Sequence, residues 1–309
     1  MDIALSILII ILVIYFIISW IIYYKLFVVD KNADYHVVNQ EDPFFNPSYL
    51  WFQKAPKDEV QIKAYDGAIL KGYFLPSLEE DSNNLAIIVH GYHACSDDMI
   101  IIAKLYSDLG FKVLLINQRG HHLSEGDSIT FGQYEKQDLK RWIHYALRTY
   151  SATDQILLHG VSMGASTIML TLGDDIPENI KYAVLDSGYS SLSGLFREMA
   201  RPKIVRIFFP GVSLITYYRH KFFIRKVSPI QAMKKSKVPF VIIHSEDDEQ
   251  VPFKMGKEIF DASLAPYKDF YPVKGCPHGE GYIIDKLGIE NFLKITLPKY
   301  FTIKKKYQK

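Results

Sequence analysis

A serine hydroxyl becomes a nucleophile when a nearby base takes its proton and a fixed carboxylate steadies that base. Ser162 sits in Gly160-Val161-Ser162-Met163-Gly164, after the apolar run Gln155-Ile156-Leu157-Leu158-His159 and before a helix-like stretch beginning Ala165-Ser166-Thr167-Ile168. Small residues two before and two after the serine let the chain turn sharply from strand to helix with the hydroxyl exposed. Chance supplies such a pentapeptide in about one chain in ten of this length, so the partners must carry the argument.

The base has one well-placed candidate among ten histidines. His278 follows an apolar strand-like run, 269–273, in Lys274-Gly275-Cys276-Pro277-His278-Gly279, at the edge of a parallel sheet where Ser162 would also lie. His36 falls in a linker, His144 in a helix and His220 in an insertion, while His159 and His244 end core strands. The adjacent pair His121-His122 lacks an HExxH pattern or a Cys/His partner set, so no metal and no other cofactor is expected. For the acid, Glu246, Asp247, Asp248 and Glu249 crowd the turn after strand 240–244, and Asp186 after strand 182–185 is a further candidate. An oxyanion needs two backbone N–H donors, each worth about 3 kcal/mol. Met163, next after the serine, offers one; the loop His90-Gly91-Tyr92-His93 offers the other through the Tyr92 amide.

The elements that must position these groups alternate. A hairpin is expected at 60–64 and 69–75 around Asp66-Gly67, then strands at 85–89, 112–116, 155–159, 182–185, 240–244 and 269–273. Helices separate them at 97–109, 134–149, 165–172, 254–262 and about 289–300. This predicts an α/β fold with a mostly parallel central sheet covered by helices on both faces. Residues 191–237 are too long for a plain connection and carry helical apolar patterning, so they read as a helical lid. Within it Arg197, Arg201, Lys203, Arg206, Arg219, Lys221, Arg225 and Lys226 face one acid, Glu198, and seven aromatic residues are interleaved. Such a surface suits anionic lipid headgroups; a solvated lid with an apolar underside is the alternative.

The chain has 309 residues, 49% of them hydrophobic, which suffices for one large core. Residues 3–24 hold no charge and would span about 33 Å as a helix, enough for a bilayer. Trp20, Tyr23 and Tyr24 at its end suit the interface. No basic segment precedes the run and no small-x-small cleavage site follows, which favours a transmembrane anchor over a signal peptide. Lys25 and Lys31 follow it, so the positive-inside rule favours a single-pass membrane protein with its catalytic domain in the cytoplasm. The expected order is a transmembrane helix at 3–24, a linker or N-terminal extension at 25–58, and a catalytic domain at 59–303. A net charge of +2 implies no nucleic-acid partner, and two cysteines imply no disulfide framework.

Six segments in order then resemble the α/β-hydrolase superfamily, in its prolyl-oligopeptidase-like and serine-aminopeptidase-like branch. They are His90-Gly91-Tyr92, Asn117-Gln118-Arg119-Gly120-His121 with Ser124-Glu125-Gly126, Gly160-Val161-Ser162-Met163-Gly164, Asp186-Ser187-Gly188-Tyr189-Ser190-Ser191, Asp248-Glu249-Gln250-Val251-Pro252, and His278. The resemblance covers about 60–301. It implies Ser162 as nucleophile, His278 as base, and as orienting acid the aspartate three residues before Val-Pro, Asp248, with Tyr92 and Met163 as amide donors. His122 departs from the pattern, standing where the arginine loop more often has a small residue. The implied activity is hydrolysis of an ester, thioester or amide through an acyl-enzyme, on a small-molecule or lipid-like acyl substrate, without a cofactor. Two rivals are an aminopeptidase-type peptidase, which needs an acidic subsite where the lid core has only Glu198, and a non-catalytic binding or scaffolding protein on the same fold.

Overall fold

The computed structural model describes residues 3–31, 33, 41–79, 82–150 and 153–304. His36, placed by its sequence in the linker, lies outside them, as do residues 32, 34–35 and 37–40 of the same segment. In chain order, helix α1 (Ile3–Phe27) and helix α2 (Asn46–Lys54) precede a hairpin of β1 (Asp58–Lys63) and β2 (Ile69–Leu75). Next come β3 (Asn84–Val89), α3 (Ile100–Asp108), β4 (Lys112–Ile116), α4 (Glu135–Thr149), β5 (Gln155–Val161), α5 (Met163–Leu172) and β6 (Ile180–Asp186). The lid holds α6 (Leu192–Met199), a 3-10 segment (Lys203–Phe208), α7 (Phe209–His220) and α8 (Pro229–Met233). β7 (Phe240–Ser245), α9 (Phe253–Ala262), β8 (Lys268–Val273), α10 (Gly281–Ile284) and α11 (Lys286–Thr296) close the chain.

The strands form one sheet in the order β1-β2-β4-β3-β5-β6-β7-β8, parallel from β4 to β8 and antiparallel only where β2 pairs with β1 and β4. Alternate residues of each central strand feed two apolar layers. Ile88, Leu157, Val184 and Val241 pack with α3 and α11, while Ile87, Leu158, Leu185 and Ile242 pack with α4 and α5. Both faces are buried, so these strands read as continuous apolar runs rather than alternating ones. Their register aligns one edge: Val89 pairs with Gly160, Val161 with Asp186, Asp186 with Ile243, and Ser245 with Val273. The loops after β3, β5, β6, β7 and β8 therefore leave the sheet side by side.

Two elements differ from the sequence expectations. The segment before β1 contains α2, opened by Pro47 at its first turn and burying Phe52 against α3 and the sheet layer. Its Asn, Pro and aromatic residues resemble a loop because they lack an apolar period. The second difference is Tyr23, which is not a lipid-interface ring. It is 1% exposed, stacks on Phe27, and its hydroxyl meets His220 Nε2 at 2.7 Å. Tyr15, Ser19, Tyr23 and Phe27, spaced by four, form one face of α1 that docks on the domain, while Trp20 and Tyr24 stay exposed. The outer run of α1 is long and apolar enough to cross a membrane, with a mean hydropathy of 3.1.

Candidate active site

β5 delivers Ser162 with φ 56° and ψ −116°, a conformation costly for any residue with a side chain. The flanking glycines make that turn sterically allowed. A Cβ on Gly160 would stand 2.5 Å from the Ala165 nitrogen, and one on Gly164 would strike the carbonyl oxygens of Val89 and His90. The Ser162 amide donates to Asp186 O at 2.7 Å, which holds the turn against the end of β6. Met163 then opens α5, where first-turn amides have no intrahelical acceptor.

The Ser162 hydroxyl lies 2.8 Å from His278 Nε2, and His278 Nδ1 lies 2.6 Å from Asp248 Oδ2. Asp248 is the buried member of its acidic turn, whereas Glu246, Asp247 and Glu249 are exposed. Its Oδ1 accepts the amides of Gln250 at 2.9 Å and Val251 at 2.7 Å. Burial raises its pKa, but hydrogen bonds from His244, His278 and the Val251 amide, together with the electrostatic attraction of His278, oppose burial and win, holding the carboxyl well below the usual carboxylate range. Asp247 acts at a different point, where its Oδ2 accepts the Gly275 amide at 2.7 Å and ties down the loop that carries His278.

The loop after β3 passes beside the serine, so close that a Cβ on Gly91 would stand 3.3 Å from Ser162 Cβ. Two buried histidines shape it. His90 Nε2 accepts the Gln118 amide at 2.9 Å, which leaves Nδ1–H to donate to Gly91 O at 2.7 Å. His121 donates from Nδ1 to Arg119 O and accepts the His93 amide at Nε2. Burial lowers the His90 pKa to about 4 and that of His121 well below its ordinary value, so both rings are neutral. Sequence reasoning misses these positioning roles; the signal available is histidine pairing with an Asn-Gln-Arg-Gly turn. Arg119 anchors that turn through Asp138, at 2.5 and 2.8 Å, and Asp66, at 2.8 Å. His122 adopts φ 47°, which explains why a small residue suits its place.

Asp186, the other candidate acid, is buried and makes no hydrogen bond to His278; its Oδ1 accepts from Ser187 Oγ at 2.7 Å and its Oδ2 has no hydrogen-bond partner among the described residues. Burial pushes its carboxyl up to about 6. The folded state therefore keeps a proton that the unfolded chain releases near pH 4, and stability falls as pH rises from about 4 to 6, by up to about 3 kcal/mol. Asp186→Asn should melt several degrees above wild type at pH 8 and level with it at pH 4. Equal melting at pH 8 would remove this account. Among the described residues no three His, Cys, Asp or Glu side chains converge as a metal site would require.

An apolar cluster begins at the residue next to the serine. Met163 shares it with Phe131, Tyr189 and Val251 from the domain, Leu192, Phe196, Val212 and Phe222 from the lid, and Tyr23 and Phe27 from α1. The Tyr92 ring stacks on Phe131, 5.1 Å between centroids, and its hydroxyl donates to Leu26 O at 3.2 Å. The end of α1 thus leans on the loop beside Ser162.

The family model described as "alpha/beta hydrolase fold" matches residues 85–208, which span β3 to the first part of the lid. The chain has the α/β-hydrolase fold. The Bacillus subtilis protein YqkD is 24% identical to this chain over 257 residues, 82% of the chain and 83% of YqkD. The lysophosphatidylserine lipase ABHD12 of Mus musculus is 25% identical over 245 residues, 74% of the chain and 54% of ABHD12. The Pyrococcus furiosus esterase Pf2001 has the same fold, with a TM-score of 0.67 at 19% identity over 86% of this chain and 98% of that one.

Proposed function

We propose that this α/β-hydrolase is a membrane-anchored serine hydrolase that cleaves an acyl ester, thioester or amide through an acyl-enzyme on Ser162. One observation carries the reading: the unbroken hydrogen-bonded line from Ser162 Oγ through His278 to buried, ionised Asp248. In this reading Ser162 Oγ bonds to the substrate carbonyl carbon as its proton passes to His278 Nε2. Asp248 holds the imidazole with Nδ1–H toward itself and stabilises the imidazolium. The carbonyl oxygen, now negative, accepts from the amides of Met163 and Tyr92. Collapse expels the leaving group, which takes the proton from His278, and water repeats the sequence to release the acid. A fluorophosphonate probe should label the full-length protein and leave Ser162→Ala unlabelled; a folded wild type that resists the probe would sink the reading.

Acyl-lipid esters are the substrate class best supported. The cluster above Met163 is apolar, it continues into α1, and a relative of this chain is named a lysophosphatidylserine lipase. The peptidase alternative has less support, because Glu198, the acid in the lid core, pairs with Lys254 at 2.6 Å. With Lys25 and Lys31 following the span, the domain sits on the cytoplasmic side. Tyr267→Cys, at an exposed position, should then escape a membrane-impermeant thiol reagent in intact cells and react after permeabilisation. Cys95 and Cys276 are buried and give little background. Labelling in intact cells would reverse the orientation.

A further inference from the structure

The lid grips α1 well inside the segment that would lie in the bilayer. The Tyr15 hydroxyl donates to Ile207 O at 3.2 Å and accepts the Gly211 amide at 3.0 Å. Ser19 Oγ reaches Phe208 O at 3.4 Å, and the Tyr15 ring lies 5.4 Å from that of Phe208. Nearer the domain, Tyr23 meets His220, so α7 runs beside α1 with its N-terminal end on the side of the span. A hydrocarbon core of about 30 Å takes about 20 helical residues. Counted from Ile3, its near boundary falls between Trp20 and Tyr24, where the exposed aromatic rings lie. Tyr15 is then about 8 to 14 Å deeper along the axis, at a rise of about 1.5 Å per residue. Whatever bonds Tyr15 must enter the leaflet with it.

The lid surface at that level has the chemistry for it. Ile204, Ile207 and Leu214 are 63%, 53% and 49% exposed, and Tyr218 is 76% exposed. Around them Arg197, Arg201, Lys203, Arg219, Lys221, Arg225 and Lys226 are exposed cations on long apolar stems that can reach up to phosphates. A helix with that composition settles about 5 to 10 Å into the headgroup and acyl boundary, which overlaps the depth set by Tyr15.

We propose that residues 202–214 are a second membrane element, an interfacial wedge in the same leaflet as the end of α1. Ile204, Ile207 and Leu214 contact acyl chains, and the surrounding cations bind anionic lipid phosphates. The proposal rests on α1 spanning the bilayer. It goes beyond anchoring, because Phe196, Val212 and Phe222 of this lid share the apolar cluster of Met163. A seated lid sets the edge of the candidate site against the leaflet, where acyl lipids already reside.

The test uses the full chain in nanodiscs of phosphatidylcholine with phosphatidylglycerol, with an environment-sensitive fluorophore on Ile204→Cys or Ile207→Cys. Ile10→Cys, on the exposed side of α1, reports the span. Leu264→Cys, before β8 at the opposite edge of the sheet, reports solvent. Lipids carrying a nitroxide high on the acyl chain should quench positions 204 and 207 far more than 264, and replacing phosphatidylglycerol by phosphatidylcholine should weaken that quenching. Position 10 quenched by deep nitroxides with 204 and 207 as unquenched as 264 would overturn the wedge alone and leave this face to a protein partner. An unquenched position 10 would overturn the span and the wedge together. Quenching indifferent to phosphatidylglycerol would overturn the role given to the cations.

Discussion

Asp248→Asn should lower kcat/KM by about 10³- to 10⁴-fold, roughly 4 to 5 kcal/mol of transition-state stabilisation, while Asp247→Asn leaves it within about threefold. The reason is a tautomer. Asp248 Oδ1 is occupied by the Gln250 and Val251 amides, so the oxygen replaced by an amide nitrogen is Oδ2, the atom 2.6 Å from His278 Nδ1. An NH₂ there donates to Nδ1, the ring proton moves to Nε2, and Nε2 then has no lone pair to take the Ser162 proton. Asp247 is exposed and only accepts the Gly275 amide, a bond that asparagine retains through its oxygen. Purified variants assayed on a p-nitrophenyl ester decide the matter, and near-normal turnover in Asp248→Asn would remove that residue from the mechanism.

Phe27→Ala should cost about 3 to 5 kcal/mol and lower the melting temperature of the detergent-solubilised chain by about 10 °C. Phe27 is fully buried although it ends an apolar span. Its ring stacks on Tyr23, meets Phe131 edge-on at 5.3 Å and Phe196 at 6.0 Å. Truncation leaves a cavity between α1, the lid and the loop that carries Phe131, so labelling of Ser162 should slow as well. Ile10→Ala, at a position 58% exposed on the same helix, should change neither. If the two variants melt together, α1 is a tether and nothing more.

The central strands are legible in the sequence because each is a short apolar run bounded by turn residues, and burial on both faces keeps such runs continuous. β4 occupies the expected residues 112–116, and β5 and α5 meet at Ser162 from runs that need only two more residues each. The acidic turn is less legible. Four neighbouring carboxylates look alike to any reading of spacing, and they differ only in which one the turn buries. α2 escapes a local reading because its apolar residues are held by the side of α3, a partner distant in sequence. The rings of His90 and His121 escape it for a similar reason, since their acceptors and donors come from the turn after β4 as well as their own loops.

The sequence by itself determined the order of elements, the residues that could do chemistry and the presence of an apolar helix, because each depends on local pattern: strand period, the small residues of a tight turn, uncharged length. Only the tertiary structure decided what those pieces face. It buries Asp248 against His278 while leaving its acidic neighbours exposed, keeps the Asp186 carboxylate on Ser187, and turns Tyr23 toward His220. It also joined α1 to the lid, through a stripe of Tyr15, Ser19, Tyr23 and Phe27 whose partner surface lies nearly 200 residues downstream. Packing of that kind is chosen by the shape and polarity of both surfaces together, and one strand of sequence shows only its own half.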